Sequence, residues 1–237
     1  MQFRPIDTSE YPYPISVGVD LGQRQDFSAI VACEQEGDRG LFNLDAEVRW
    51  IVRGIDRLPT GTPYNVVADR VAEVIHAIED GDREAGVCHR TARRQPTPYP
   101  SRWLQVVADT TGVGRPVCEM IEQRLPEDVP IHFATFTGGE SLNKRSWKEV
   151  SVAKSYMVSR LKALLQTDRL ILPKTELARA LADELLTFEL HATDRGVESG
   201  AFKTGAHDDL VCAIGLSVVQ SIRELTRPRP NIAWPPY

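Results

Sequence analysis

The sequence predicts an α/β fold: one mixed five-stranded sheet, its first three strands antiparallel, with helices on both faces. Three observations predict it. Residues 15–52 hold three β-rich runs in succession, the pattern of a meander. Two later apolar strands alternate with amphipathic helices, the pattern of parallel βα units joined to the same sheet. A final helix, opening at His207, is apolar over most of its circumference and must be buried.

The elements follow in order. Residues 1–14 read as an irregular leader containing Pro5, Pro12 and Pro14. In the first strand, 15–20, apolar Ile15, Val17 and Val19 alternate with small Ser16 and Gly18. Both faces can pack, so this strand belongs in the middle of the sheet. It ends in Asp20, and a polar turn through Gly22 and Asp26 leads to a second strand at 27–34. A third strand, 41–52, carries Phe42, Leu44, Val48, Trp50 and Val52 on one alternation. Pro63 opens a helix in which Val67, Val71, Val74, Ile75 and Ile78 recur at helical spacing.

Residues 81–100 are irregular, with Arg83, Arg90, Arg93 and Arg94 among prolines. They form either a solvated loop or a basic flap over a phosphate backbone. The apolar strand 103–109 ends in Asp109 and runs into Thr110-Thr111-Gly112-Val113-Gly114-Arg115. Val117, Met120, Ile121 and Leu125 then mark an amphipathic helix, and 129–135 a fifth strand. Ligands of open α/β sheets gather at such carboxyl ends.

The polar stretch 136–148 carries Lys144, Arg145 and Lys148 and reads as a loop or hairpin. A strong helix spans 153–167. Lys154 lies in its first turn, where a cation opposes the helix dipole and calls for a nearby anion. A short extended piece (169–172), a helix (176–186), a short strand (187–193) and a glycine-bearing turn region precede the last helix. Residues 227–237 form a proline-rich tail, which leaves 15–226 as one domain.

Composition narrows the function classes. With 42% hydrophobic and 26% charged residues, the chain is an ordinary globular protein with a sizeable core. A net charge of −5 argues against coating nucleic acid by bulk charge and leaves room for a local basic groove. Cys33, Cys88, Cys118 and Cys212 form no Cys-x-x-Cys pair, so neither a disulfide framework nor a zinc site is expected. No signal peptide, membrane-length apolar stretch or Gly-x-x-x-x-Gly-Lys-Ser/Thr phosphate loop occurs.

The acids are the chemistry. Two strands end in Asp20 and Asp109, and a buried helix begins with Asp208-Asp209 beside His207. One aspartate there is explained as a helix cap; two in succession are not. Converging carboxylates repel each other, and divalent cations relieve that repulsion. Oxygen-only ligands favour Mg²⁺ or Mn²⁺.

Four stretches, in order, resemble the nuclease domain of tailed-phage terminase large subunits, within the ribonuclease H-like nucleases. They are Gly18-Val19-Asp20-Leu21-Gly22 with Asp26, the run 107–116 around Asp109, the run 152–161 around Lys154, and the run 205–213 around Asp208 and Asp209. The resemblance implies a two-metal-ion endonuclease that cuts concatemeric viral DNA during packaging, in the cytoplasm of an infected or prophage-carrying bacterial host. It implies Mg²⁺ or Mn²⁺ held by Asp20, Asp109 and Asp209, with Asp208 as a fourth acid or a supporting group. Lys154, His207 and Asp26 would be accessory. Arg90, Arg93, Arg94, Lys144, Arg145 and Lys148 are expected to line a DNA groove beside the acids. Implied partners are double-stranded DNA and a separate packaging ATPase, small terminase subunit or portal. Two alternatives stay open on the sequence: a Holliday-junction-resolvase-like nuclease, and a non-catalytic DNA-docking or assembly module.

Overall fold

A computed structural model of the chain describes residues 13–22, 26–37, 48–84, 88–89, 101–112, 114–138, 141–194 and 208–219. The elements begin with β1 (Ile15–Asp20), β2 (Ser28–Glu36), β3 (Arg49–Leu58) and α1 (Tyr64–Glu84). Next come β4 (Cys88–His89), β5 (Ser101–Arg102), β6 (Leu104–Asp109), α2 (Arg115–Glu122) and β7 (Ile131–Thr137). The last are β8 (Leu142–Lys144), β9 (Glu149–Ala153), α3 (Lys154–Gln166), β10 (Leu170–Ile171), α4 (Glu176–Asp194) and α5 (Asp209–Val218).

The main sheet has the order β10-β3-β2-β1-β6-β7-β9-β8, with β4 and β5 paired separately. β1, β2 and β3 form the antiparallel meander, and β6 and β7 run parallel to β1. β1 is central, as its two packable faces require. Helices cover both faces. α1 and α2 pack on Val17, Val19, Val106, Ala108 and Phe133. α3, α4 and α5 pack on Val31, Trp50, Val52, Val107, Val150 and Val152.

The sheet exceeds the expected five strands, because β8, β9 and β10 join it in the described residues. These strands have three, five and two residues, too few for an alternation to stand out from a polar loop. β3 runs over Arg49–Leu58 rather than 41–52. Its second half, with Arg53, Asp56 and Arg57, reads as loop, yet it pairs with β2 across a bulge at Ala32/Cys33. Residues 41–47 lie outside the described residues. The short strand expected at 187–193 is a continuation of α4. No glycine or proline interrupts 176–194, and extending an existing helix costs less than starting a new element.

Candidate active site

The sheet register sets the two strand-end acids side by side. β1 and β6 are parallel, with Val19 opposite Ala108. Asp20 and Asp109 each follow by one residue, so they stand level on adjacent strands about 4.8 Å apart. Alternation turns both toward the α5 face, since Val19 and Ala108 belong to the opposite core.

Two glycines bring the helices to these acids. A methyl group on Gly18 would overlap the Ala213 carbonyl oxygen and stand 2.7 Å from the Ser217 nitrogen. The α5 backbone therefore rests directly on β1. A methyl group on Gly215 would overlap the Met157 sulfur and lie 3.2 Å from its Cε, so α3 nests against α5. These approaches put the first residues of α5 over the strand ends and Lys154, the first residue of α3, beside them.

Asp208 is the N-cap of α5, but its side chain makes no capping hydrogen bond. Its Oδ2 lies 3.3 Å from Lys154 Nζ and 3.7 Å from Cys212 Sγ. Lys154 Nζ also lies 5.3 Å from the centre of the Phe136 ring. Burial disfavours the Lys154 ammonium, but Cys212, Asp208 and Asp20 more than offset this and raise its pKa. The thiols of Cys33, Cys118 and Cys212 are free and buried.

Asp20 is the focus of the negative charge. Burial raises its pKa well above the ordinary carboxylate range, and Asp109, Asp208 and Asp209 push it further; Lys154 opposes them. Burial also raises Asp109, to about 6, against two hydrogen bonds from Thr111. The Thr111 backbone N–H donates to Asp109 Oδ1 at 2.8 Å and holds that carboxylate at the turn.

Asp209 is differently occupied. It is buried, and both Nε and Nη2 of Arg57 lie 2.6 Å from its Oδ2. Arg57 Nη2 also donates to the Glu184 carboxylate. Glu184 in turn accepts the Leu210 N–H at 3.2 Å, and burial pushes its pKa up to about 7. The Phe27 ring centre lies 4.8 Å from the guanidinium carbon.

The remaining candidates are dispersed. Asp26 is exposed in the bend before β2. Lys148 is not in the acid cluster: its Nζ binds both carboxylate oxygens of Glu122 on α2, at 2.6 and 2.5 Å, and lies 4.5 Å from the Phe133 ring centre. Glu122 and Phe133 belong to the side of the sheet that α2 covers, opposite to Asp20 and Asp109. Lys144 pairs with Val150 and lies on the edge strand, while Arg145 sits in the β8–β9 turn, where its N–H donates to Glu149. Through Asp109–Ala134, Ala134–Val150 and Val150–Lys144 the register carries Lys144 level with Asp109, three strands along the sheet at its edge. Arg90, Arg93, Arg94 and His207 lie outside the described residues.

The donor set suits a hard divalent cation. Asp20, Asp109 and Asp208 offer carboxylate oxygens on one face, and their mutual repulsion is what raises Asp20 beyond burial alone. Among the described residues no three His, Cys, Asp or Glu side chains already stand as a ligand cage. Lys154 draws Asp208 toward itself.

Sequence reasoning did not find Arg57 or Glu184, and it named Gly18 and Thr111 only as parts of their strand and turn. Arg57 leaves a faint trace: after the bulge it falls on the same alternation as buried Ile55. Glu184 leaves another, as an acid beside Leu181 and Leu185 on the inner stripe of α4.

The sequence matches no protein-family model and no curated protein. Solved structures do resemble the chain. The human cytomegalovirus terminase nuclease domain superposes with a TM-score of 0.52 at 8% identity, over 92% of this chain and 89% of that one. A manganese-soaked form of that domain gives 0.50 at 10% identity, over 90% of both chains. The large terminase nuclease of thermophilic phage G20c gives 0.49 at 19% identity, over 93% of this chain and 92% of that one. The chain has the ribonuclease H-like fold, in the form seen in terminase nuclease domains.

Proposed function

We propose that this chain is a divalent-cation-dependent DNA endonuclease of the terminase large-subunit type, which cuts concatemeric viral DNA during genome packaging. The observation that carries the reading is the level pairing of Asp20 and Asp109 beneath the start of α5. The fold shared with terminase nuclease domains supports it, and one of those domains is described with manganese.

Asp20, Asp109 and Asp208 would hold the cations, Mg²⁺ or Mn²⁺, two in number. Bound there, they supply the Lewis acidity that activates water and stabilises charge on the departing 3′ oxygen of a phosphodiester. The chain's own residues do the rest. The strand ends fix Asp20 and Asp109 rigidly, and the Thr111 N–H orients Asp109. Lys154 keeps positive charge beside Asp208. No side-chain nucleophile is required. The substrate is double-stranded DNA, delivered by a motor or portal, since a chain of net charge −5 has little bulk attraction for it. The site of action is the cytoplasm of an infected or prophage-carrying bacterium. Among the described residues no helix is long and apolar enough to cross a membrane.

The test is cleavage of supercoiled plasmid by the full chain with Mn²⁺ or Mg²⁺, with Asp20→Asn and EDTA as controls. Cleavage that needs the metal and Asp20 is expected. Inactive wild-type protein, or full cleavage by Asp20→Asn, overturns the reading. A strong preference for four-way junctions over linear duplex moves the chain to the resolvases.

A further inference from the structure

Arg57 lies level with Asp20 across the sheet. Asp20 pairs with Ala29 on β2, and Ala29 pairs with Arg57 on β3. Ala29 between them is small and fully buried, and the Arg57 guanidinium reaches the first residue of α5. It binds Asp209 through two nitrogens and Glu184 through one of them. The side chains of Arg57, Glu184 and Asp209 are 17%, 11% and 5% exposed, so the network is largely shielded from water.

Glu184 supplies what Asp208 withholds. A helix N-terminus needs acceptors for its first N–H groups, and the N-cap side chain usually provides one. Here the Asp208 side chain caps nothing, and Glu184 takes the Leu210 N–H instead. The Asp208 carboxylate is thereby not committed to the helix N–H groups and lies against Lys154 and the Cys212 thiol beside Asp20.

We infer that Arg57 is a positioning residue of the acid centre: with Glu184 it pins Asp209 to β3 and α4 and caps α5, so that Asp208 is the aspartate of the pair presented to Asp20 and Asp109. This rests on the proposed metal-dependent site and reverses the expected ranking of Asp209 over Asp208. A cation takes Asp209 Oδ2 only by displacing two N–H donors 2.6 Å from it; while they hold, Asp209 has at most one oxygen for a metal. Asp208 need only leave one lysine at 3.3 Å and one weak thiol donor at 3.7 Å.

The experiment is calorimetric titration of Mn²⁺ into full-length wild type, Asp208→Asn, Asp209→Asn, Arg57→Gln and Arg57→Lys, with the Mn²⁺ dependence of plasmid cleavage alongside. Asp208→Asn should weaken Mn²⁺ binding about tenfold or more. Asp209→Asn should stay within about threefold, because its amide oxygen still accepts from Arg57. Outer residues that orient a ligand are worth about 10- to 100-fold in metal affinity, and Arg57 orients Asp208 through Asp209 and the start of α5. Arg57→Gln should therefore shift both the Mn²⁺ dissociation constant and the Mn²⁺ needed for half-maximal cleavage by about tenfold, with cleavage recovering at high Mn²⁺. Arg57→Lys should recover only part, since one ammonium does not fork between two carboxylates. Hydrogen exchange at the Leu210 amide should rise in Arg57→Gln. If Arg57→Gln fails to fold, Asp209→Asn decides. An unchanged Mn²⁺ constant in Arg57→Gln overturns the inference and leaves the site reading intact, as does equal damage from Asp209→Asn and Asp208→Asn. Wild-type protein that binds no Mn²⁺ overturns the site reading, and the inference with it.

Discussion

Gly18 of β1 lies directly beneath Ala213 of α5, with no room for a methyl group between the strand and the helix carbonyl. The whole acid cluster depends on that contact, because it sets the height of α5 above Asp20. Gly18→Ala should destabilise the protein by about 3 kcal/mol or more, at the upper end of overpacking costs, and abolish cleavage. Urea unfolding measures the first effect. Gly81, in α1, is the control: a methyl group there would meet nothing within 4 Å. Gly81→Ala should be neutral or stabilise by about 0.5–1 kcal/mol through helix propensity. Equal costs at the two glycines would refute the close-approach account.

Asp20 should cost stability while the site holds no cation. Its folded pKa is raised, so the fold disfavours the charged form that the unfolded chain prefers at neutral pH. Asp20→Asn removes that charge with little change of shape. In EDTA the variant should melt at least about 2 °C above wild type. Added Mn²⁺ should raise the wild-type melting temperature and leave the variant unmoved. A variant that melts lower in EDTA contradicts the electrostatics described.

Lys148 is expected to be structural. Its pair with Glu122 and its place over Phe133 tie β9 to α2. Both partners are partly exposed, so Lys148→Ala should cost no more than about 1 kcal/mol. DNA affinity, and its slope against salt, should not change. A slope reduced by about one unit per charge removed would instead mark Lys148 as a phosphate contact.

His132 should make the fold acid-sensitive. The ring is buried, with Nδ1 3.1 Å from the Trp147 carbonyl oxygen and Nε2 without a hydrogen-bond partner among the described residues. Burial lowers its pKa to about 4 from an ordinary value of 6.5. The unfolded chain therefore takes up this proton first as pH falls. Stability from this group is complete above pH 6.5 and lost progressively toward pH 4. The loss approaches roughly 3 kcal/mol. Urea unfolding at pH 4 to 7 should show that this part of the slope disappears in His132→Asn. An identical slope in both proteins would count against it.

The strands that end in Asp20 and Asp109 are legible residue by residue, because apolar alternation broken by an acid and a glycine is local information. The central place of β1 is legible too, since Val17, Val19, Ser16 and Gly18 offer packable surface on both faces. The apolar girth of α5 announces its burial in the same way. Which acids meet, and what each is free to do, follows from the packed fold alone. Asp208 and Asp209 are neighbours with the same side chain, and nothing local separates them. Their roles divide because Arg57, 152 residues away, reaches one of them, while Lys154, 54 residues away, reaches the other. Such partners are brought together by register and by the fit of Gly18 under α5, and a short window of sequence holds neither. The β8–β9 hairpin shows the same limit: Lys144 and Lys148 read as one basic stretch, but the register sets Lys144 level with Asp109 on the edge strand, while Lys148 pairs with Glu122 on the α2 side, because partners across strands fix where each side chain stands.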